Sequence, residues 1–493
     1  MSTSPRPVAS GSSGHAWLAR TGRWLGPTVF AVFLILPAPV EFDSSAWWVL
    51  GLTLFMAIWW ITEAAPIPVT AALPVALLPV LGVVPITEAA APYANPLIFL
   101  FVGGFAIALA VQRWNLHRRV ALAILDFSGR RLDRLIAGFM LATAGLSMWV
   151  SNTATAALML PIALSVLAVV ETDPAARGAG ARPAVALLLG IAFAANIGGM
   201  ATLIGSPPNA LTAAFLNDRY GLEIGFVQWL IIGFPTAALL LAFTWWSLTR
   251  WIFPVHRIAL TGLGDLIAQQ RAELGTWSSA EFRVASVFVM VALAWLLRPL
   301  LNHHLPLELT DPGIAVVGAV FLFLLPSGRS EQRFLLAWEN TRDLPWGVLI
   351  LVGGGLSLGA AIEGSGLAAL IAQSLQGVAR MPFWILILGV ILLTMVLSHV
   401  TSNTATTATL LPLVAALAIQ TSNAPLMLTV PVALAASAAF MLPVATPPNA
   451  IVFGSDRLRV LDMVRGGALP SVAAIGLLVL VAMFWVGGVL GHG

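Results

Sequence analysis

Long apolar runs separated by short polar segments dominate the chain. A membrane helix needs about 20 mostly apolar residues. Apolar blocks suited to spans lie at 24–40, 46–62, 66–84, 96–112, 184–215, 227–252, 284–301, 313–326, 344–362, 426–454 and 467–490. The pattern predicts an all-α polytopic membrane protein with eleven transmembrane helices. Two further apolar regions, 135–169 and 382–420, are interrupted at their middles by Ser-Asn-Thr. They read as re-entrant hairpins, although two pairs of full spans would keep the same parity. Residues 1–23 are rich in Ser, Gly and Pro and carry Arg6, Arg20 and Arg23. They read as a disordered cytoplasmic tail before a retained first helix within 24–45.

Composition sharpens this picture. Of 493 residues, 24 are basic and 21 acidic, or 9% charged, against about 25% in a soluble domain. Such a chain cannot cover its surface with polar groups, so its solvent is largely the lipid bilayer. A soluble enzyme, a nucleic-acid module and a disordered scaffold are excluded. There is no lysine, the net charge is only +3, and the arginines form no dense patch for a nucleic-acid partner. Cysteine is absent, which removes disulfides, thiolate metal sites and cysteine nucleophiles. Arginine placement sets orientation. With the N-terminus inside, 21 arginines fall in inner loops and 3 (Arg219, Arg298 and Arg380) in outer ones. The chain is therefore expected in the plasma (inner) membrane, N-terminus cytoplasmic and C-terminus outside. The Arg113–Arg134 stretch reads as an interfacial helix.

The two Ser-Asn-Thr breaks share a context. Ser151-Asn152-Thr153-Ala154-Thr155 precedes an apolar run and Pro161. Ser402-Asn403-Thr404-Ala405-Thr406 precedes an apolar run and Pro412, at an offset of 251. Downstream, Gly205-Ser206-Pro207-Pro208-Asn209-Ala210 is matched by Ala445-Thr446-Pro447-Pro448-Asn449-Ala450 at an offset of 240. Upstream, Val102-Gly103-Gly104 is matched by Val352-Gly353-Gly354 at 250. Pairs in one order argue for duplication, with repeats over 46–252 and 284–490 and a cytoplasmic or interfacial connector over 253–283. The arginine topology starts the first repeat outside and the second inside, so the halves are inverted. Inverted repeats with matching broken helices mark secondary transporters, whose sites lie at the breaks. Unwound backbone is tolerated at that depth only where it is buried or lines a cavity.

A Ser-Asn-Thr tip can serve two charges. The N-terminus of a half-helix offers N–H donors and partial positive charge to an anion. Exposed carbonyls, hydroxyls and the Asn carbonyl suit a hard cation. Paired prolines force a break and free carbonyls such as those of Gly205 and Ala445. One isolated motif would mean an interhelical hydrogen bond or a kink, whereas two duplicated pairs point to a site. Gly103-Gly104 and Gly353-Gly354-Gly355 read as close helix packing. Glu63, Glu88, Glu363 and Asp43 sit at span ends. His399, three residues before Ser402, is the ionisable exception inside an apolar region. It reads either as a neutral hydrogen-bonding residue or as a titratable modulator beside an ion site. The histidines are otherwise dispersed or lie in an outer loop, so the chain reads as a transporter, not an enzyme.

At these residues the sequence resembles the divalent anion/sodium symporter family, carriers of di- and tricarboxylates and, in some branches, of sulfate. The resemblance covers about 46–490. It rests on the paired tips, the paired Pro-Pro-Asn breaks, Trp60-Ile61-Thr62-Glu63-Ala64-Ala65-Pro66-Ile67-Pro68 and Leu344-Pro345-Trp346-Gly347. It implies a homodimer of eleven-helix protomers, each with a scaffold domain and a transport domain that moves by an elevator motion. It implies one sodium site at Ser147, Ser151, Asn152 and the Gly205 carbonyl, and another at Ser398, Thr401, Asn403 and the Ala445 carbonyl. The substrate carboxylates would sit against Asn152, Thr153, Asn403 and Thr404, near Pro207 and Pro447. His399 stands outside that implied set. The expected function is sodium-coupled symport of C4-dicarboxylates (succinate, malate, fumarate) or related di- and tricarboxylates. A sodium-independent dicarboxylate exchanger, with a protonated His399 as fixed positive charge, and a symporter of sulfate or another oxyanion are the alternatives.

Overall fold

The computed structural model describes residues 12–490 apart from 41, 130, 174–175, 177–178, 256–257, 259–262, 305, 307, 330–331, 375–376 and 378–380. Residues 1–11 of the expected tail lie outside the described residues, as do Arg6, Arg130, Arg177, Arg257 and Arg380 of the arginine count.

Helices make up nearly all of the described chain; the exception is a two-stranded antiparallel ribbon, Pro326–Arg329 with Gln332–Phe334. Among the described residues, eight helices are long and apolar enough to cross a membrane, Asn152–Thr172 of the first interrupted region being one of them. Of the eleven expected spans, those at 24–40, 66–84, 313–326 and 426–454 are not among them. The first helix runs Ser12–Ile35, so residues 12–23, expected as disordered tail, are helical. Gly22 and Gly26 allow this helix to lie directly against Thr62 and Phe55 of Ser44–Thr62. Gly22 had been counted with the disordered tail, whereas it permits a close approach. The 66–84 block, rich in proline, splits into Ile67–Thr70 and Leu73–Val80, because each proline removes an intrahelical donor.

The two Ser-Asn-Thr regions each fold as helix, short turn, helix. The first is Leu132–Ser147 and Asn152–Thr172. The second is Phe383–Ser398 and Asn403–Gln420. Each wraps a buried helix: Arg182–Met200 is buried along its length and lies against both first-hairpin limbs, and Leu426–Ala436 does the same for the second. Both buried helices stop short. The chain resumes as Pro207–Tyr220 and as Pro447–Phe453, each with proline in its first turn. There the missing N–H costs nothing.

The glycine pairs are packing sites. An added Cβ at Gly103 would come within 2.5 Å of the Ala315 backbone, and one at Gly353 within 2.5 Å of Tyr93. At Gly354 it would overlap the Ala71 carbonyl. Residues 116–126 form the amphipathic helix expected within 113–134. Arg119 ties it to the rest through Glu281 at 2.9 Å and the Trp277 ring at 5.0 Å.

Candidate functional site

A cavity of about 810 Å³ lies where the two hairpin turns and the two proline breaks meet. Its wall contains Asn152 and Thr153 of the first turn, Asn403 and Thr404 of the second, and Pro207 and Pro447 of the breaks. All six residues expected to contact substrate are therefore brought together, from positions up to 295 apart in the chain. Of the expected cation ligands, Ser151, Gly205, Thr401 and Ala445 line the same cavity, while Ser147 and Ser398 are buried in the limbs behind the turns.

Four helices begin at this cavity. Ser151, Ser206, Ser402 and Thr446 are the N-cap residues of Asn152–Thr172, Pro207–Tyr220, Asn403–Gln420 and Pro447–Phe453, and all four line it. Ser151 accepts from the Ala154 N–H and Thr446 from the Asn449 N–H, each at 3.3 Å. Ser206 and Ser402 make no cap bond of their own. Asn152–Thr172 and Asn403–Gln420 bring free N–H donors, whereas the two helices that start with Pro-Pro lack those N–H groups and bring only the positive end of the helix dipole. Their convergence makes an anion seat.

The oxygens behind the turns are of the opposite character. In the first half, the Asn152 amide sits among Ser147 Oγ at 2.6 Å, the Ala195 carbonyl at 3.1 Å and the Gly205 carbonyl at 3.3 Å. With its nitrogen turned toward them, it donates to all three. The Ser147 hydroxyl also donates to the Ala195 carbonyl at 2.7 Å. In the second half, Ser398 Oγ and Asn403 Oδ1 are buried and have no hydrogen-bond partner among the described residues. Thr401 Oγ1 lies 2.6 Å from Thr406 Oγ1 and donates to the Leu397 carbonyl at 3.0 Å. Buried oxygens left unsatisfied cost about 1–3 kcal/mol each. A small cation taking oxygen ligands fits the second cluster as it stands; in the first, the Asn152 amide nitrogen satisfies the oxygens, and a cation there would take its place.

His399 is engaged at both ring nitrogens. Nδ1 lies 2.6 Å from the Met395 carbonyl, and Nε2 accepts from the Met441 N–H at 3.3 Å. A ring that donates at Nδ1 and accepts at Nε2 is the neutral tautomer. It joins the second turn to the backbone of the second break. Glu63 is the charged side chain in the cavity wall among the described residues. Ile67, Pro345 and Val348 line the cavity with it, at or next to the two other quoted motifs.

Sequence reasoning missed the groups that hold the breaks open. Asn209 Nδ2 donates to the Gly199 and Thr202 carbonyls at 2.9 and 2.8 Å. Asn449 Nδ2 donates to the Ala439 and Leu442 carbonyls at 3.2 and 3.0 Å. Both acceptors are displaced by the same 240 residues as the asparagines themselves. The Pro-Pro-Asn duplication was the available signal, but its weight had been placed on the prolines. Bonds also stitch the breaks to each other, among them one from Asn196 Nδ2 to Asn449 Oδ1 at 3.4 Å. Asn196 Nδ2 donates to Thr446 Oγ1 at 2.9 Å, and the Ser206 and Ser437 hydroxyls lie 3.3 Å apart. Asn196 has an alanine at the 240 offset, so no repeat could flag it.

A sequence profile described as the sodium:sulfate symporter transmembrane region matches residues 21–491. The sodium-dependent dicarboxylate transporter SdcS of Staphylococcus saprophyticus is 41% identical over 478 residues, which is 95% of this chain and 92% of that protein. The protein of the same name from Staphylococcus aureus is 38% identical with the same coverage. Among solved structures, the Alcanivorax borkumensis YdaH transporter aligns with a TM-score of 0.59 at 15% identity, covering 96% of this chain and 98% of that one. Neisseria gonorrhoeae MtrF aligns with a TM-score of 0.55 at 13% identity, covering 95% and 97%. At such identity these two speak to the fold alone.

Proposed function

The chain belongs to the divalent anion/sodium symporter family, and from that premise we propose that it couples sodium entry to the uptake of C4-dicarboxylates such as succinate, malate or fumarate. It is a polytopic membrane transporter, not an enzyme. The observation that carries the proposal is the convergence of four helix N-termini on a cavity backed by unsatisfied oxygens.

Magnitudes support coupling. Each helix terminus stabilises an adjacent anion by about 0.3–1 kcal/mol, and about 2 in favourable buried geometry. Four of them fall well short of the tens of kcal/mol that an isolated buried charge costs. No arginine or histidine lines the cavity among the described residues. The missing countercharge is sodium, held at Ser147, Ser151, Asn152 and Gly205 on one side and at Ser398, Thr401, Asn403 and Ala445 on the other. Sodium binds first in this scheme and orders both turns. The dianion then binds Asn152, Thr153, Asn403 and Thr404. The stitched hairpins and breaks travel as one body past Glu63 and Pro345, an elevator motion. Partly loaded states, with a net buried charge, do not cross. By the arginine orientation, Glu63 and Pro345 lie at the inner ends of their spans. A homodimer belongs to the same reading and rests on the family resemblance.

Uptake of labelled succinate into proteoliposomes is expected to require a sodium gradient and to be competed by malate and fumarate more than by sulfate. Exchange against internal succinate without sodium, or preferential block by sulfate, would replace this reading. The neutral pattern at His399 favours symport over an exchanger with a fixed charge. His399→Gln is expected to keep sodium-dependent uptake within about threefold, a loss of under ~1 kcal/mol for one neutral hydrogen bond. Sodium-independent exchange that disappears in this variant would assign the histidine the cationic role instead.

A further inference from the structure

A groove of about 410 Å³ runs beside the first hairpin, away from the cavity. Ala137, Leu141 and Gly145 of Leu132–Ser147 form one wall, and Phe234, Ala238 and Trp245 of Phe226–Trp246 the other. Leu141 is 57% exposed and Phe234 50%. In a chain that spans a bilayer, that opening faces lipid. From Ala137 to Met148 the wall rises roughly 16 Å at 1.5 Å per residue. That is close to half of a hydrocarbon core of about 30 Å, the depth of one acyl chain in one leaflet. Apolar walls with nothing between them forfeit their dispersion contacts, so a chain from the bilayer fills such a space.

One end of the groove is positively charged. The Trp245 indole donates to the Asp133 carbonyl at 2.8 Å and joins the two walls there. The buried Asp133 carboxylate is shared by Arg131 at 2.9 Å and Arg250 at 3.5 Å, so two cations meet one anion. Arg134 is exposed and lies one turn before Ala137, on the same helical face as Ala137 and Leu141. The acyl-length groove therefore ends beside the Arg134 and Arg250 guanidinium groups, where its walls leave the apolar layer.

We propose that this groove binds one phospholipid with an anionic headgroup, its acyl chain between the two walls and its phosphate at Arg134 and Arg250. Occupancy braces the limb that carries Ser147. The far end of the groove reaches Met148, whose carbonyl accepts the Thr202 hydroxyl beside the first turn.

The site is testable without any transport assay. The full-length protein in mild detergent is offered equal phosphatidylglycerol and phosphatidylcholine, and bound lipid is read by native mass spectrometry. The expected result is one retained phosphatidylglycerol, preferred by about fivefold per arginine, the effect of roughly 1 kcal/mol near the surface. Arg134→Gln lowers the preference about fivefold, leaving the part that Arg250 supplies. Ala238→Trp, which fills the groove from an exposed position, removes the retained lipid. Both substitutions are at exposed residues, and unchanged melting curves check that the fold is intact. Equal retention of the two lipids by the unmodified protein overturns the proposal, as does unchanged preference and retention in the two variants.

Discussion

Alanine at Asn403 is expected to lower sodium-dependent dicarboxylate uptake at least ~100-fold, with the melting curve nearly unchanged. Its Oδ1 is buried without a partner among the described residues. That oxygen is carried at a cost that a ligand repays, so its removal does not harm the empty fold. It does remove a contact to a charged species, worth about 1.5–3 kcal/mol. The same side chain stands at the start of Asn403–Gln420, between the cation cluster and the anion seat. Losing both roles at once brings the change to about 3 kcal/mol, and 1.4 kcal/mol is tenfold. Asn152→Ala is expected to behave alike in uptake but to destabilise more, because its amide is already bonded to Ser147, Ala195 and Gly205. Wild-type uptake in both variants would dismiss the site assignment.

The second large effect concerns stability. Asn449→Leu strands the Ala439 carbonyl and leaves the Leu442 carbonyl with the Ala445 N–H at 3.2 Å. One buried acceptor left open costs about 1–3 kcal/mol, and the weakened second adds to it. The apparent melting temperature in detergent is expected to fall by roughly 5–10 °C. Asn209→Leu, which strands the Gly199 carbonyl and leaves Thr202 with the Gly205 N–H at 3.4 Å, is expected to fall by a similar amount. Unchanged melting in either case would mean that the breaks are held by something other than these amides.

The fold was legible where its signals are periodic or repeated. Apolar blocks near helix length gave most helices to within a few residues, as in Pro96–Arg113 and Trp346–Gly364. Ser-Asn-Thr, twice in one context, located the turns, and the doubled Pro-Pro-Asn located the breaks. Hydropathy did not see that 66–84 is two short helices, because proline is compatible with an apolar average while removing helix donors. It also did not see that Gly22, within the first 23 residues, serves packing. At the site, duplication supplied the residues that occur in both halves. It was silent on Asn196, which has no twin, and on Glu63, which reaches the cavity from a motif whose spacing says nothing of where its face points. Side chains that bond across the two halves carry no local pattern, since their partners are set by tertiary packing alone.

The bonds from Asn196 to Thr446 and between Ser206 and Ser437 have a consequence for how the chain is made. Each joins residues more than 230 positions apart. At about 5–20 residues per second, synthesis of that interval takes on the order of 10–50 s. Until then the first break must wait in the membrane with its polar side chains unmatched. The first half is thus an incomplete product that ripens only when the second arrives. Cells limited in the machinery that shelters unfinished membrane proteins should lose this carrier early, through degradation of the waiting half.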